Sequence, residues 1–467
     1  MATCYFLQPS EPNKPALKNV MGKAKLHVFF LLFLILSSFC ESNDQLTQAN
    51  SLSPGDMLIS EGRAFALGFF SPTNSSKSLY LGIWYNNIPE RTIVWIANRD
   101  SPISNHSSVK LTITNSSEMV LFDSEGRSVW MTANTTTTGG ADGAVAVLLD
   151  SGNFVLRLLN GTVVWQSIDH LTDTILPNTR ILVSSKAQVV GRLVAWKGPD
   201  DPSSGDFSLG IDPSSNFQLF IWNGSLPYKR LDVVNEVLVF GGTYQSTTTS
   251  VMSQYLYDRG DELYYTYTYT YTVSDGSPYT RVLLDYRGNM SLWNWNNTTL
   301  SWTVVTAMSS YCAIYASCGP FGYCDYTEAI PICRCPDGFK LVDSLNLSRG
   351  CQRKKALRCG KDNYFMTMPN MKVPDKFLQI RNTSFDQCTD ECSRNCSCMA
   401  YTYANLSSAG GPMGNTSRCL VWTGDLVDME KVSVLTENLY IRLGESSVQK
   451  NGELLKILLP IIACCCY

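Results

Sequence analysis

The polar and apolar positions of this chain follow a period of two far more often than one of 3.6. In the strand pattern from Tyr264 to Thr272 tyrosine and threonine alternate from Tyr265 onward, which places those tyrosines on one face and the threonines on the other. That stripe reads as an aromatic recognition surface or, with more weight, as a face packed on a second sheet. A second pattern recurs at longer range. Val94-Trp95, Val129-Trp130 and Val164-Trp165 stand 35 residues apart, and Val120-Leu121 and Val155-Leu156 each precede their tryptophan by the same interval, with Gly126 and Gly161 between. Each unit reads as strand, glycine turn, strand. One hairpin cannot bury its own apolar face, so three should pack about a shared axis with the tryptophans inside.

The remaining apolar blocks lie at the ends. Lys23, Lys25 and His27 precede the run Val28 to Leu36, and Ser37 and Ser38 follow, the basic, apolar and polar regions of a secretory signal. The expectation is a signal peptide over 1–42, with Met21 the better start. Leu454 to Cys466 is apolar apart from Lys456 but shorter than the roughly 20 residues that span a bilayer. It reads as the start of a membrane helix, and Cys464–Cys466 less readily as a lipidation site.

Export changes the reading of the 17 cysteines. Cys4 and Cys40 fall in the leader, and twelve lie between Cys312 and Cys419. An even set confined to one third of a secreted chain is a disulfide framework, with zinc a distant alternative. Sequons agree: Asn74, Asn105, Asn115, Asn134, Asn160, Asn223, Asn289, Asn296, Asn297, Asn346, Asn382, Asn395, Asn405 and Asn415 each open an N-x-S/T. Charge adds little, since −3 over 467 residues offers no footprint for nucleic acid. His106 and His170 are the histidines beyond the leader, so a catalytic nucleophile has few bases, and no catalytic, cofactor or metal constellation is expected. The length implies three or four domains.

The hairpin repeat resembles the bulb-type mannose-binding lectin, a three-sided β-prism. That family's sugar motif is Q-x-D-x-N-x-V-x-Y, with polar groups for vicinal hydroxyls and Val against the ring. Here Leu148, Asp150, Asn153, Val155 and Arg157 stand in one repeat, with an extra residue between Asp150 and Asn153. Thr114, Ser116, Glu118, Val120 and Phe122 stand in another. The resemblance implies a degenerate sugar site at Asp150, Asn153 and Val155, with the fold kept and mannose binding lost. Trp165-Gln166-Ser167-Ile168-Asp169-His170, Trp196-Lys197 and Pro199-Asp200-Asp201-Pro202 resemble the S-locus glycoprotein and S-domain receptor-like kinase family, extracellular portion only. Cys312-x5-Cys318-x5-Cys324-x8-Cys333-x-Cys335-x15-Cys351 resembles an EGF-like module, and Cys388-x3-Cys392-x3-Cys396-x-Cys398 a PAN/apple module, with three cysteines on one helix face before a strand.

The resemblance implies a mainly β chain: bulb lectin over 43–170, a second β-rich lectin-like S-locus domain over 171–305, EGF-like over 306–352, PAN/apple over 353–444 and a juxtamembrane stretch over 445–467. It implies the bridges Cys312–Cys324, Cys318–Cys333, Cys335–Cys351, Cys388–Cys419, Cys392–Cys398 and, by remainder, Cys359–Cys396. It further implies ligand recognition of the pollen or immune type at the cell surface, without a kinase domain: none of the G-rich loop, V-A-I-K, H-R-D or D-F-G motifs occurs. Partners would be a protein or peptide ligand, or a glycan, with homodimerisation or association with full-length receptor kinases. A secreted lectin and a truncated decoy are the alternatives.

Overall fold

A computed structural model describes residues 44–132, 143–177, 179–185, 188–189, 192–212, 218–230, 252–258, 262–269, 279–307, 312, 314–358, 363–381, 383–405, 417–432 and 437–444. The expected signal peptide and juxtamembrane stretch lie outside the described residues. Among the described residues no helix is long and apolar enough to cross a membrane.

The chain is mainly β. Its first unit has three antiparallel sheets. One joins Met57–Ile59, Phe65–Phe70, Tyr80–Tyr85 and Ile93–Ile96; the next joins Lys110–Ile113, Met119–Phe122 and Ser128–Met131. The third places Gln45–Thr47 beside Ala144–Leu148, Phe154–Leu158 and Val163–Gln166. Trp95, Trp130 and Trp165 come one from each sheet and meet edge to face, with centroids 6.0, 5.8 and 5.6 Å apart. Such pairs add roughly 0.5–1.5 kcal/mol each beyond the area they bury. Gly126 and Gly161 turn the last two hairpins at φ 76° and 87°, a left-handed backbone that costs glycine nothing.

A second trio of four-stranded sheets follows. The tyrosine–threonine segment forms the strand Glu262–Tyr269, set between Arg180–Ser185 and Met252–Asp258. Its side chains lie outside what the structure describes.

The C-terminal third holds an eight-stranded sheet that crosses a module boundary. The hairpin Tyr323–Asp325 and Ile332–Arg334 from the first cysteine cluster adds in parallel to Met429–Lys431 of the second, pairing Cys324 with Glu430. Against this sheet lies the helix Phe385–Arg394, started by a reciprocal Ser384–Gln387 capping box. The expectation of three cysteines on one helix face needs correction. The helix carries Cys388 and Cys392 and ends at Arg394, so Cys396 lies beyond it. The Arg442 guanidinium takes the carbonyls of Cys392, Ser393 and Asn395, which completes the helix terminus there.

Candidate recognition surface and intermodule contacts

Asp150 accepts the Gly62 amide on both carboxylate oxygens, at 2.8 and 3.0 Å. Asn153 is buried; its Nδ2 donates to Gln166 Oε1, and its Oδ1 accepts from Ser167 Oγ and the Ile168 amide. Val155 is buried as well, and Leu148 belongs to the core. The structure therefore keeps these residues in one region but commits their polar atoms to the chain itself. In the preceding repeat Thr114, Ser116 and Glu118 are likewise linked to one another through their side chains, and Val120 is buried.

The sheet from Met57 to Ile96 is closed in a different way. Its outer residues Ala66, Phe70, Tyr80, Trp84, Ile93 and Ile96 are buried and pack with Trp196 of the second β unit. Arg99 fixes this contact by donating to the carbonyls of Pro202, Val194 and Ala195 at 2.8–2.9 Å. Beside it Asp100 accepts from the Ser204 amide and hydroxyl. Burial pushes the Arg99 pKa down, with Asp173 and Asp100 opposing. Tyr85 donates to the Thr280 carbonyl, Trp302 to the Thr92 hydroxyl, and Trp295 lies in the first unit's core. Trp196 and Pro202, from the motifs that resemble the S-locus family, thus build an interface.

A second interface is electrostatic and fully buried. Arg230 donates from Nε to Asp428 at 2.7 Å, and also to Gln218 and the carbonyls of Val373 and Asp428. Lys372 Nζ stands 3.1 Å from Asp428 and 2.5 Å from Glu430. Asp375 accepts from Gln218 Nε2 and the Tyr315 hydroxyl, and Asp428 also accepts the Ala316 amide. Burial opposes ionisation of Asp428, but Lys372 and Arg230 outweigh it and hold the carboxyl below its usual range. Burial foremost, with Asp428 also against it, pushes Glu430 upward, and the two carboxyls together outweigh the burial of Lys372 and hold its amine above the usual lysine range. Sequence reasoning missed this cluster. Its one local signal is the interruption of apolar strand positions by charge, as in Met371-Lys372-Val373 and Met429-Glu430.

Cys312 is bonded to Cys324, Cys318 to Cys333, Cys335 to Cys351, Cys388 to Cys419 and Cys392 to Cys398. Cys396 is also in a disulfide, and Cys359 lies outside the described residues. The sulfurs of Cys312, Cys318 and Cys333 cluster, but as members of two bridges they offer a metal no thiolate.

The sequons fall into groups. Asn105, Asn160, Asn296, Asn346 and Asn395 each accept, on Oδ1, the amide two residues ahead in a turn. Asn74, Asn115, Asn223 and Asn297 are exposed. Asn289 is half-buried and bonded at both ends of its amide. Asn134, Asn382 and Asn415, and the Asn405 side chain, lie outside the description.

Known proteins resemble this arrangement along its length. Residues 92–197 match the D-mannose binding lectin family, 236–343 the S-locus glycoprotein domain and 359–429 the PAN-like domain. The S-locus-specific glycoprotein S6 of Brassica oleracea is 34% identical over 432 residues, covering 90% of this chain and 95% of that protein. The chain belongs to the S-locus glycoprotein family. Receptor kinases of the family match over less of their own length. The G-type lectin S-receptor-like serine/threonine-protein kinase B120 of Arabidopsis thaliana is 34% identical, covering 92% of this chain and 51% of the kinase. The chain spans about half the length of the curated kinase relatives it matches. A monomeric monocot mannose-binding lectin from Gastrodia elata is similar over 27% of this chain and 96% of its own, at 20% identity and a TM-score of 0.20.

Proposed function

We propose that this S-locus family chain is the extracellular recognition region of an S-domain receptor, using a lectin scaffold to bind a protein or peptide ligand and performing no catalysis. The carrying observation is that Asp150 and Asn153 spend their hydrogen bonds on Gly62, Gln166, Ser167 and Ile168. A sugar hydroxyl would have to displace those intramolecular partners. The unit boundaries proposed are those of the sequence analysis, with the six-bridge framework and a glycosylated surface. Recognition of the pollen or immune type, at the cell surface or in the secreted state, is supported by relatives that are receptor kinases and an S-locus-specific glycoprotein. Partners would include a second copy or a full-length receptor kinase, which leaves room for a decoy role.

The competing reading is a carbohydrate-binding lectin, favoured by the intact three-sheet scaffold around Trp95, Trp130 and Trp165. The secreted chain passed over mannose-agarose and a glycan array separates the two. No retention is expected; retention competed away by free mannose would establish the lectin.

A further inference from the structure

The sequon Asn289-Met290-Ser291 is built unlike the others among the described residues. Asn289 ends a tight turn in which Asp285 Oδ1 accepts the amides of Arg287 and Asn289. Gly288, at φ 74°, takes the left-handed step, and a side chain there would strike the Phe207 ring. The Asn289 carboxamide points inward. Its Oδ1 accepts from Lys229 Nζ at 2.9 Å, and its Nδ2 donates to Asp285 Oδ2 at 3.2 Å. Ser291, which completes the sequon, is 7% exposed in an inner strand, pairs with Leu283 and Ala307 on either side, and accepts from Trp293 Nε1. Lys229 is 1% exposed, with its amine 5.2 Å from the Tyr228 ring centroid. A buried ammonium needs polar partners, and the Asn289 carbonyl is a close, well-placed one.

We propose that Asn289 carries no glycan in the folded protein and that its carboxamide is a structural ligand of buried Lys229. Glycosylation would replace one Nδ2 hydrogen by a sugar's anomeric carbon, with the donor's pyrophosphate leaving. The bulky substituent would have to be housed in a half-buried turn whose amide is already bonded at both ends. At Asn160, Asn346 and Asn395, by contrast, the side chains are exposed and Oδ1 is held by the turn itself.

The proposal refines the glycoprotein reading, and two measurements separate failure of one from failure of the other. Intact-glycopeptide mass spectrometry of the full chain secreted from a glycosylating host should find Asn289 bare and Asn160, Asn346 and Asn395 occupied. Glycan on Asn289 of folded protein overturns the proposal, whereas a chain bare throughout overturns the glycoprotein reading. The structural role has its own readout. Burial pushes Lys229 down to about 8, with Asp285 opposing. Unfolded lysine titrates near 10.4, so the unfolded chain binds the extra proton between these values and wild-type stability climbs with pH across them. Asn289→Asp puts a carboxylate beside the amine and should flatten that climb, while Asn289→Ala removes a ligand of the charged form and should steepen it. An unchanged climb in Asn289→Asp overturns the assignment of Asn289 as the lysine's ligand.

Discussion

Tyr315 shows how one side chain reports on an interface. Its hydroxyl donates to Asp375 Oδ2 at 2.7 Å, and burial first, then Asp375, push its pKa upward. A raised acid pKa means that the stabilisation is complete below the unfolded tyrosine value near 10 and is lost as pH climbs above it. Tyr315→Phe removes this ionisation, and because other buried tyrosines titrate too, the difference between variant and wild type is the quantity to follow. Equilibrium unfolding in urea should show the variant weaker by about 1–3 kcal/mol at neutral pH. The gap should narrow between pH 9 and about 11. A gap that stays constant would mean that the phenol does not hold the Asp375 carboxylate. Arg442 acts at the same scale. Arg442→Ala frees three carbonyls at the end of the helix Phe385–Arg394 and removes a cation from its negative end, a loss of about 1–3 kcal/mol measurable by the same unfolding.

Elements differ in how far the sequence announces them. The three hairpins were legible because a tryptophan at the same step in each repeat has one economical packing, on a common axis. The helix end was not. Cys388, Cys392 and Cys396 keep a four-residue step, but Arg442, far along the chain, takes the carbonyls that would have continued the helix. The parallel addition of Tyr323–Asp325 to Met429–Lys431 was equally hidden, since three residues carry no period and their partners lie about a hundred positions away. That addition makes a prediction. Removing Cys312–Cys324 by a double serine substitution should cost about 3 kcal/mol for a 12-residue separation. Because Cys324 pairs with Glu430, amide hydrogen exchange should also quicken at Met429–Lys431, in the other cysteine module. Faster exchange confined to 312–358 would mean that the two modules are stabilised separately.

For the whole molecule the governing feature is the buried charge cluster, because it engages three modules at once. Gln218 and Arg230 come from the second β unit, Tyr315 and Ala316 from the first cysteine module, and Lys372, Asp375, Asp428 and Glu430 from the last. The charged positions inside apolar strands hint at buried ions but not at their partners, since Arg230 and Asp428 are 198 residues apart. Charges taken so far from water give little net stability when paired but exact a large penalty when one partner is missing. The cluster therefore acts as a lock on docking geometry more than as a source of stability. Arg230→Met should cost about 3–5 kcal/mol by leaving Asp428 with only Lys372 and the Ala316 amide among its described partners. Calorimetry of the variant should resolve an earlier transition for the β units and a later one for the disulfide-bonded modules, where wild type melts the two together. Adding Asp428→Asn removes the stranded charge, so the double variant should recover part of the loss, by the non-additivity expected of contacting residues. A single unshifted transition in Arg230→Met, or strict additivity in the double variant, would show that docking rests on other contacts, such as that of the Phe220 and Tyr315 rings, instead.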